Sequence, residues 1–237
     1  MLNLFTKVAG LFCTPASVKA QPDWLASVKT VADSGVSSAC VPAEFVSLNP
    51  KKLSDADYAK VASDLGCEAA ALKAVKTVEA AGNGFLSDGR PTILFEAHIF
   101  GKRTAYKFSK AHPKISTNKW DRSLYGAGGS NQYNRLAEAI LLDRKAALES
   151  ASWGLFQIMG FNYAAAGFTD IESYVRAMCQ SELEHLRAFA GFVKANKTMH
   201  AALKKKDWTT FARLYNGPAF ETNKYNSKLA DAYRRFA

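Results

Sequence analysis

Metal-binding and disulfide signatures are missing from this 237-residue chain. Its four cysteines stand at 13, 40, 67 and 179, no pair has CxxC spacing, and none of the four histidines is placed to complete a zinc-ligand set. Cysteines so spread do not make the framework of a small secreted protein, so reduced and mostly buried thiols are expected. Long apolar runs are missing too. No segment approaches the ~20 residues of a membrane-spanning helix. The mildly apolar start, "MLNLFTKVAGLFC", has no basic leader and is interrupted by Lys7, which favours an amphipathic helix or arm over a signal segment. Repeats and low-complexity tracts are absent. So are nucleic-acid-binding motifs, and the aromatic residues do not interleave with basic ones as a stacking groove requires.

What is present is an ordinary globular composition, 48% hydrophobic and 22% charged, enough for one large core or two modest domains. The net charge of +10 is unevenly spread: residues 187–237 hold 11 basic against 3 acidic side chains. A basic C-terminal region can steer a protein toward a polyanion such as a bacterial wall or outer-membrane polymer. Taken alone, the "KKK" run at 204–206 reads as a solvated helix face.

Residues 1–52 are rich in small apolar residues and broken by prolines. Within them "DWLASVKTVADSG" predicts a short helix ended by Gly35, but no motif assigns the segment a role. Composition changes at "SLNPKKLSD", which places the main domain at 53–237. There Ser54 and Asp57 form an acidic capping box opening a helix that Gly66 closes. The next helix, about 68–81, carries Glu79. The weak alternation of "PTILFEAHIF" (91–100) fits a short strand or a buried irregular run. A glycine-rich connection, "YGAGGSNQYN", leads into a helix through about 148, and two or three further helices fill 170–237. Helical signal far exceeds strand signal, so the fold class is mainly α with at most a small β element.

Glu79 stands out because Leu72, Val75 and Val78 recur at helical spacing and Glu79 falls on the same apolar stripe, just before Gly82 and Gly84 break the helix. A carboxyl group in an apolar setting loses solvation of its charged form, and its pKa rises. Beside a flexible loop at a helix end, such a group suits a general acid for glycosidic bond cleavage, where the leaving oxygen must be protonated. A helix-end cap or a pair with Lys76 or Arg90 is the structural alternative. Two further motifs bear on the choice. "ASWGLFQIMG" is too short and mixed for a plain core helix, and "RLYNGPAF" sets Tyr215 and Asn216 before a Gly-Pro turn. Singly, each reads as a packed aromatic or an ordinary turn.

Together and in this order, "VEAAGNGF", "SWGLFQIMG" and "YNGPAF…NKYNSKLADAY" resemble the N-acetylmuramidase domain of modular bacteriophage endolysins, related to goose-type lysozymes and lytic transglycosylases. The resemblance covers about 53–237, including "GRPTILFEAHIF", "YGAGGSNQYNRLAEA" and "DWTTFARLYNGP". It implies a lysozyme-like helical domain with a substrate cleft and Glu79 as the catalytic acid. It further implies substrate contacts from Ser152, Gly154, Gln157, Tyr215, Asn216 and Tyr225, with Leu155 in the same cleft segment. Goose-type enzymes place an aspartate two residues after the matching glutamine, where this chain has Met159. Glu96, beside His98, is the better alternative for a second carboxylate, and a structural pairing with a buried Arg or His is the favoured expectation for it.

The resemblance implies a monomeric hydrolase of bacterial peptidoglycan that needs no metal or cofactor and binds no nucleic acid. It would be made in the host cytoplasm and act on the wall in the periplasm. A lytic transglycosylase and a non-catalytic wall-binding module are the rivals. The N-terminal segment shows no peptidoglycan-binding repeat.

Overall fold

The computed structural model describes residues 45–47, 50–79, 82–217 and 220–237; the helix expected to end at Gly35 lies outside them. Helix α1 (Asp55–Leu65) starts as its sequence dictates. The Ser54 hydroxyl accepts from the Asp57 N–H, the Asp57 carboxylate accepts from the Ser54 N–H, and Gly66 closes the helix in the left-handed conformation. Helix α2 (Ala69–Glu79) buries Leu72 and Val75 completely and ends on Glu79.

The ambiguous stretch 91–100 holds the short strand expected, β1 (Ile93–Phe95), and then, in place of an irregular run, helix α3 (Ala97–Arg103) with Glu96 as its N-cap. A 3-10 turn at Arg122–Tyr125 precedes helix α4 (Asn131–Leu142). The helix expected to run through 148 is broken at Asp143, whose side chain caps helix α5 (Arg144–Glu149) by accepting from the Ala146 N–H. "ASWGLFQIMG" is a hairpin of strands β2 (Ala151–Trp153) and β3 (Ile158–Met159). With β1 it forms a three-stranded antiparallel sheet, order β1-β2-β3, in which Ile93 faces Trp153 and Ser152 faces Met159.

Five helices, not two or three, fill the rest: α6 (Ile171–Met178), α7 (Glu182–Ala195), α8 (Lys197–Lys205), α9 (Trp208–Asn216) and α10 (Tyr225–Arg234). The extra breaks are made by single capping residues. Ser181, Asn196 and Asp207 each accept a hydrogen bond from the N–H three residues on, and such caps interrupt a helical sequence without changing its periodicity.

The core runs between the sheet and the helices around Trp153, Tyr133, Phe95, Phe156, Phe189 and Tyr215. Phe45, upstream of the expected start of the domain, is 1% exposed and its ring lies 5.8 Å from those of Tyr133 and Trp153. Burying such a ring contributes about 2–3 kcal/mol, so Phe45 belongs to the packing of this domain. Among the described residues no disulfide forms, and burial pushes the Cys67 thiol up to about 11, which keeps it protonated and unreactive.

Candidate active site

Three helix ends converge on Glu79. It is the last residue of α2 and is half-buried. Asn216, the last residue of α9, is buried and donates from Nδ2 to Glu79 Oε1 at 2.8 Å. Tyr225 opens α10, which packs along α2. Burial, and then the charge of Glu79, raises the Tyr225 hydroxyl above the ordinary phenol range, so the two groups are neighbours. Glu79, Asn216 and Tyr225, distant in sequence, are thus brought together as expected.

Tyr215 is brought near as well, but in a different role from the substrate contact expected. It is 1% exposed and its hydroxyl donates to the Phe156 carbonyl at 3.0 Å. Its ring packs against Phe189, Phe192 and Phe211. Asn216 can reach Glu79 because Tyr215, one position back on α9, is anchored in the core.

The hairpin residues also spend their polar groups on the protein. Gln157, whose backbone lies in the left-handed region at φ 50°, donates from Nε2 to the carbonyls of Gly154 (2.8 Å) and Thr92 (3.0 Å). Its Oε1 accepts from the buried Ser152 hydroxyl at 2.8 Å. Ser152 and Gln157 therefore hold the turn between β2 and β3 rather than standing open to a ligand. Met159, in the position of the missing aspartate, is 3% exposed and pairs with Ser152 across the hairpin.

Thr92 joins this turn to the loop after Glu79. Its N–H donates to the Gly84 carbonyl (2.9 Å) and its hydroxyl to the Asn83 carbonyl (2.8 Å), while its own carbonyl accepts from the Gly154 N–H at 2.8 Å. Nothing in the sequence marked Thr92. Glu96 lies at the other end of β1, buried, where it accepts from the Tyr125 hydroxyl and sits 3.3 Å from His98 Nδ1. The Arg135 guanidinium feels its charge there, and Trp120 Nε1 donates to Tyr125 at 2.7 Å. These contacts agree with the structural pairing expected for Glu96.

His185 of α7 is the site's second unforeseen member. It is 1% exposed; Nδ1 accepts from the Leu155 N–H at 3.1 Å and Nε2 donates to the Met178 carbonyl at 2.7 Å. This pattern requires the neutral ring, and burial pushes the imidazole down to about 4 from 6.5. Above pH 6.5 the ring is neutral in folded and unfolded chains alike, so its full contribution is present. As pH falls toward 4, only the unfolded chain takes up the proton, and stability is lost, by about 3 kcal/mol on this group. Urea denaturation at pH 7 and pH 4.5 should show that loss, and His185→Phe, though less stable at pH 7, should lack this part of the pH dependence.

A half-buried carboxyl at a helix end, beside a glycine loop and a small antiparallel hairpin in a helical fold, defines a lysozyme-like glycosidase. Comparison with solved structures agrees: the crystal structure of Burkholderia AP3 phage endolysin matches with a TM-score of 0.75 and 44% identity, over 79% of this chain and 73% of that one. Curated proteins give no match. The family model for N-acetylmuramidase matches residues 68–237, and the chain belongs to that family of peptidoglycan hydrolases.

Proposed function

We propose that this N-acetylmuramidase is an endolysin that hydrolyses the β-1,4 bond between N-acetylmuramic acid and N-acetylglucosamine, with Glu79 as the proton donor. The hydrogen bond from Asn216 to Glu79 carries this reading. The N–H that Asn216 donates to Oε1 orients the carboxyl at the helix end, and its acid proton passes to the glycosidic oxygen as the bond breaks. Once deprotonated, the same carboxylate serves as base toward water.

The position that matches the goose-type aspartate holds the buried Met159 and not a carboxylate. The positive charge developing at C1 is then relieved by the substrate's own acetamido group, a route open to glycosidases with one carboxylate. Mass spectrometry of muropeptides released from purified peptidoglycan tests the reaction. Reducing N-acetylmuramic acid ends are expected. Ends lighter by one water, the 1,6-anhydro form, would make the protein a transglycosylase, and cleavage at the stem peptide would refute the glycosidase reading.

The basic C-terminal region supports attraction to anionic wall or outer-membrane polymers in the periplasm. Lys206 takes no part in it: it adopts the left-handed cap of α8 and pairs with Glu68. Lys204 and Lys205 are exposed. Lysis should slow as salt rises, and replacing Lys204 and Lys205 together by Gln should flatten that dependence. An unchanged salt profile would reduce the pair to a solvated face.

A further inference from the structure

Helix α7 sets two buried polar side chains against the backbone on both sides of the site. Glu182 is 6% exposed; its Oε1 accepts from the Gly84 N–H at 3.0 Å and its Oε2 from the Leu53 N–H at 3.2 Å. His185, one turn on, holds the Leu155 N–H of the β2–β3 turn. Its ring fills the space between two glycines. A Cβ on Gly84 would stand 2.8 Å from Nδ1 and 2.9 Å from Glu182 Cγ, and one on Gly154 would stand 2.9 Å from the ring. Phe85 stacks on the ring at 4.9 Å.

The Gly84 carbonyl is held by Thr92, whose own carbonyl is held by Gly154. A closed circuit therefore runs from the loop after Glu79, through Thr92, to the hairpin turn and back through α7. This accounts for Gly84: the loop must approach α7 more closely than any side chain allows.

We propose that Glu182 and His185 are positioning residues for glycosidic cleavage: they fix the loop after Glu79 against the β2–β3 turn and so set the direction in which the Glu79 carboxyl faces the scissile bond. The proposal rests on Glu79 being the acid. Neither side chain is assigned a contact with substrate. Their effect belongs in kcat, since a small misplacement of a reacting group slows the chemical step without weakening the binding of glycan along the rest of a cleft.

The test uses the full chain and soluble, uncross-linked peptidoglycan glycan strands, assayed well below the melting temperature on protein shown to be folded by circular dichroism. Glu182→Leu removes the acceptor of the Gly84 N–H and should lower kcat by about tenfold or more with KM within about twofold. Glu182→Gln keeps a carbonyl oxygen for that N–H and should retain kcat within about threefold. His185→Phe and His185→Asn should separate in the same way, because the Asn carbonyl can accept from Leu155 and the Phe ring cannot.

Should Glu182→Leu not fold, Gly84→Ala pushes the loop off the ring without deleting an acceptor, and it too should lower kcat alone. Folded Glu182→Leu or Gly84→Ala with wild-type kcat overturns the proposal. So does a loss confined to KM, or an equal loss in Glu182→Leu and Glu182→Gln. Glu79→Gln is run beside them. If it keeps full activity, the reading of Glu79 fails; if it is inactive while the α7 variants work normally, only the positioning role fails.

Discussion

Glu79→Gln should reduce lysis of permeabilised Gram-negative cells by at least about two orders of magnitude while leaving the fold intact. The substitution keeps the shape of the side chain and removes its proton. The amide oxygen can still accept from Asn216 Nδ2 as Glu79 Oε1 does now, and α2 keeps Leu72 and Val75 buried two turns and one turn earlier, so melting temperature should change little. The loss should be in kcat, because a proton donor acts in the transition state and contributes little to ground-state binding. Asn216→Leu offers a milder comparison, since it leaves the acid in place and removes one hydrogen bond that orients it. A folded Glu79→Gln protein that still lyses cells would sink the mechanism.

The parts of this molecule that follow from local rules were legible. The Ser54 and Asp57 box, the Gly66 stop and the apolar stripe of α2 are set by contacts within a few residues. So is the anomaly of Glu79, a carboxylate on that stripe ahead of two glycines. Its meaning came from the order of three motifs, and the helix ends at 79, 216 and 225 bring the first and third of them together in space. The short strands were harder. β2 and β3 hold three and two residues, too few to show alternation, and a side-chain hydrogen bond from Gln157 shapes their turn. The supporting residues were silent for another reason. Thr92 works through its backbone and hydroxyl, and His185 and Glu182 act on backbone groups 30 and 98 residues away. Tyr215 misled because a Tyr-Asn pair at a turn suggests two ligand contacts, whereas a helix turns 100° between neighbours. Asn216 faces Glu79 and Tyr215 enters the core.

Glu96→Gln should destabilise the fold by about 1–3 kcal/mol and leave turnover per folded molecule within about twofold of wild type. Glu96 is 4% exposed and serves three neighbours: it accepts from the Tyr125 hydroxyl, faces His98 Nδ1 at 3.3 Å, and its charge offsets the burial of the Arg135 guanidinium. Gln can still accept from Tyr125, but it leaves the half-buried Arg135 charge without that offset. For a domain of this size the cost corresponds to a melting temperature lower by about 2–12 °C. The position argues against a second catalytic carboxylate. A carboxylate already bonded to Tyr125 and set against His98 is poorly placed to hold water or attack C1. Tyr125→Phe should reproduce part of the destabilisation through the same network, again with normal turnover. A stable Glu96→Gln protein that binds peptidoglycan and fails to cut it would place Glu96 in the reaction and remove the need for the substrate's acetamido group.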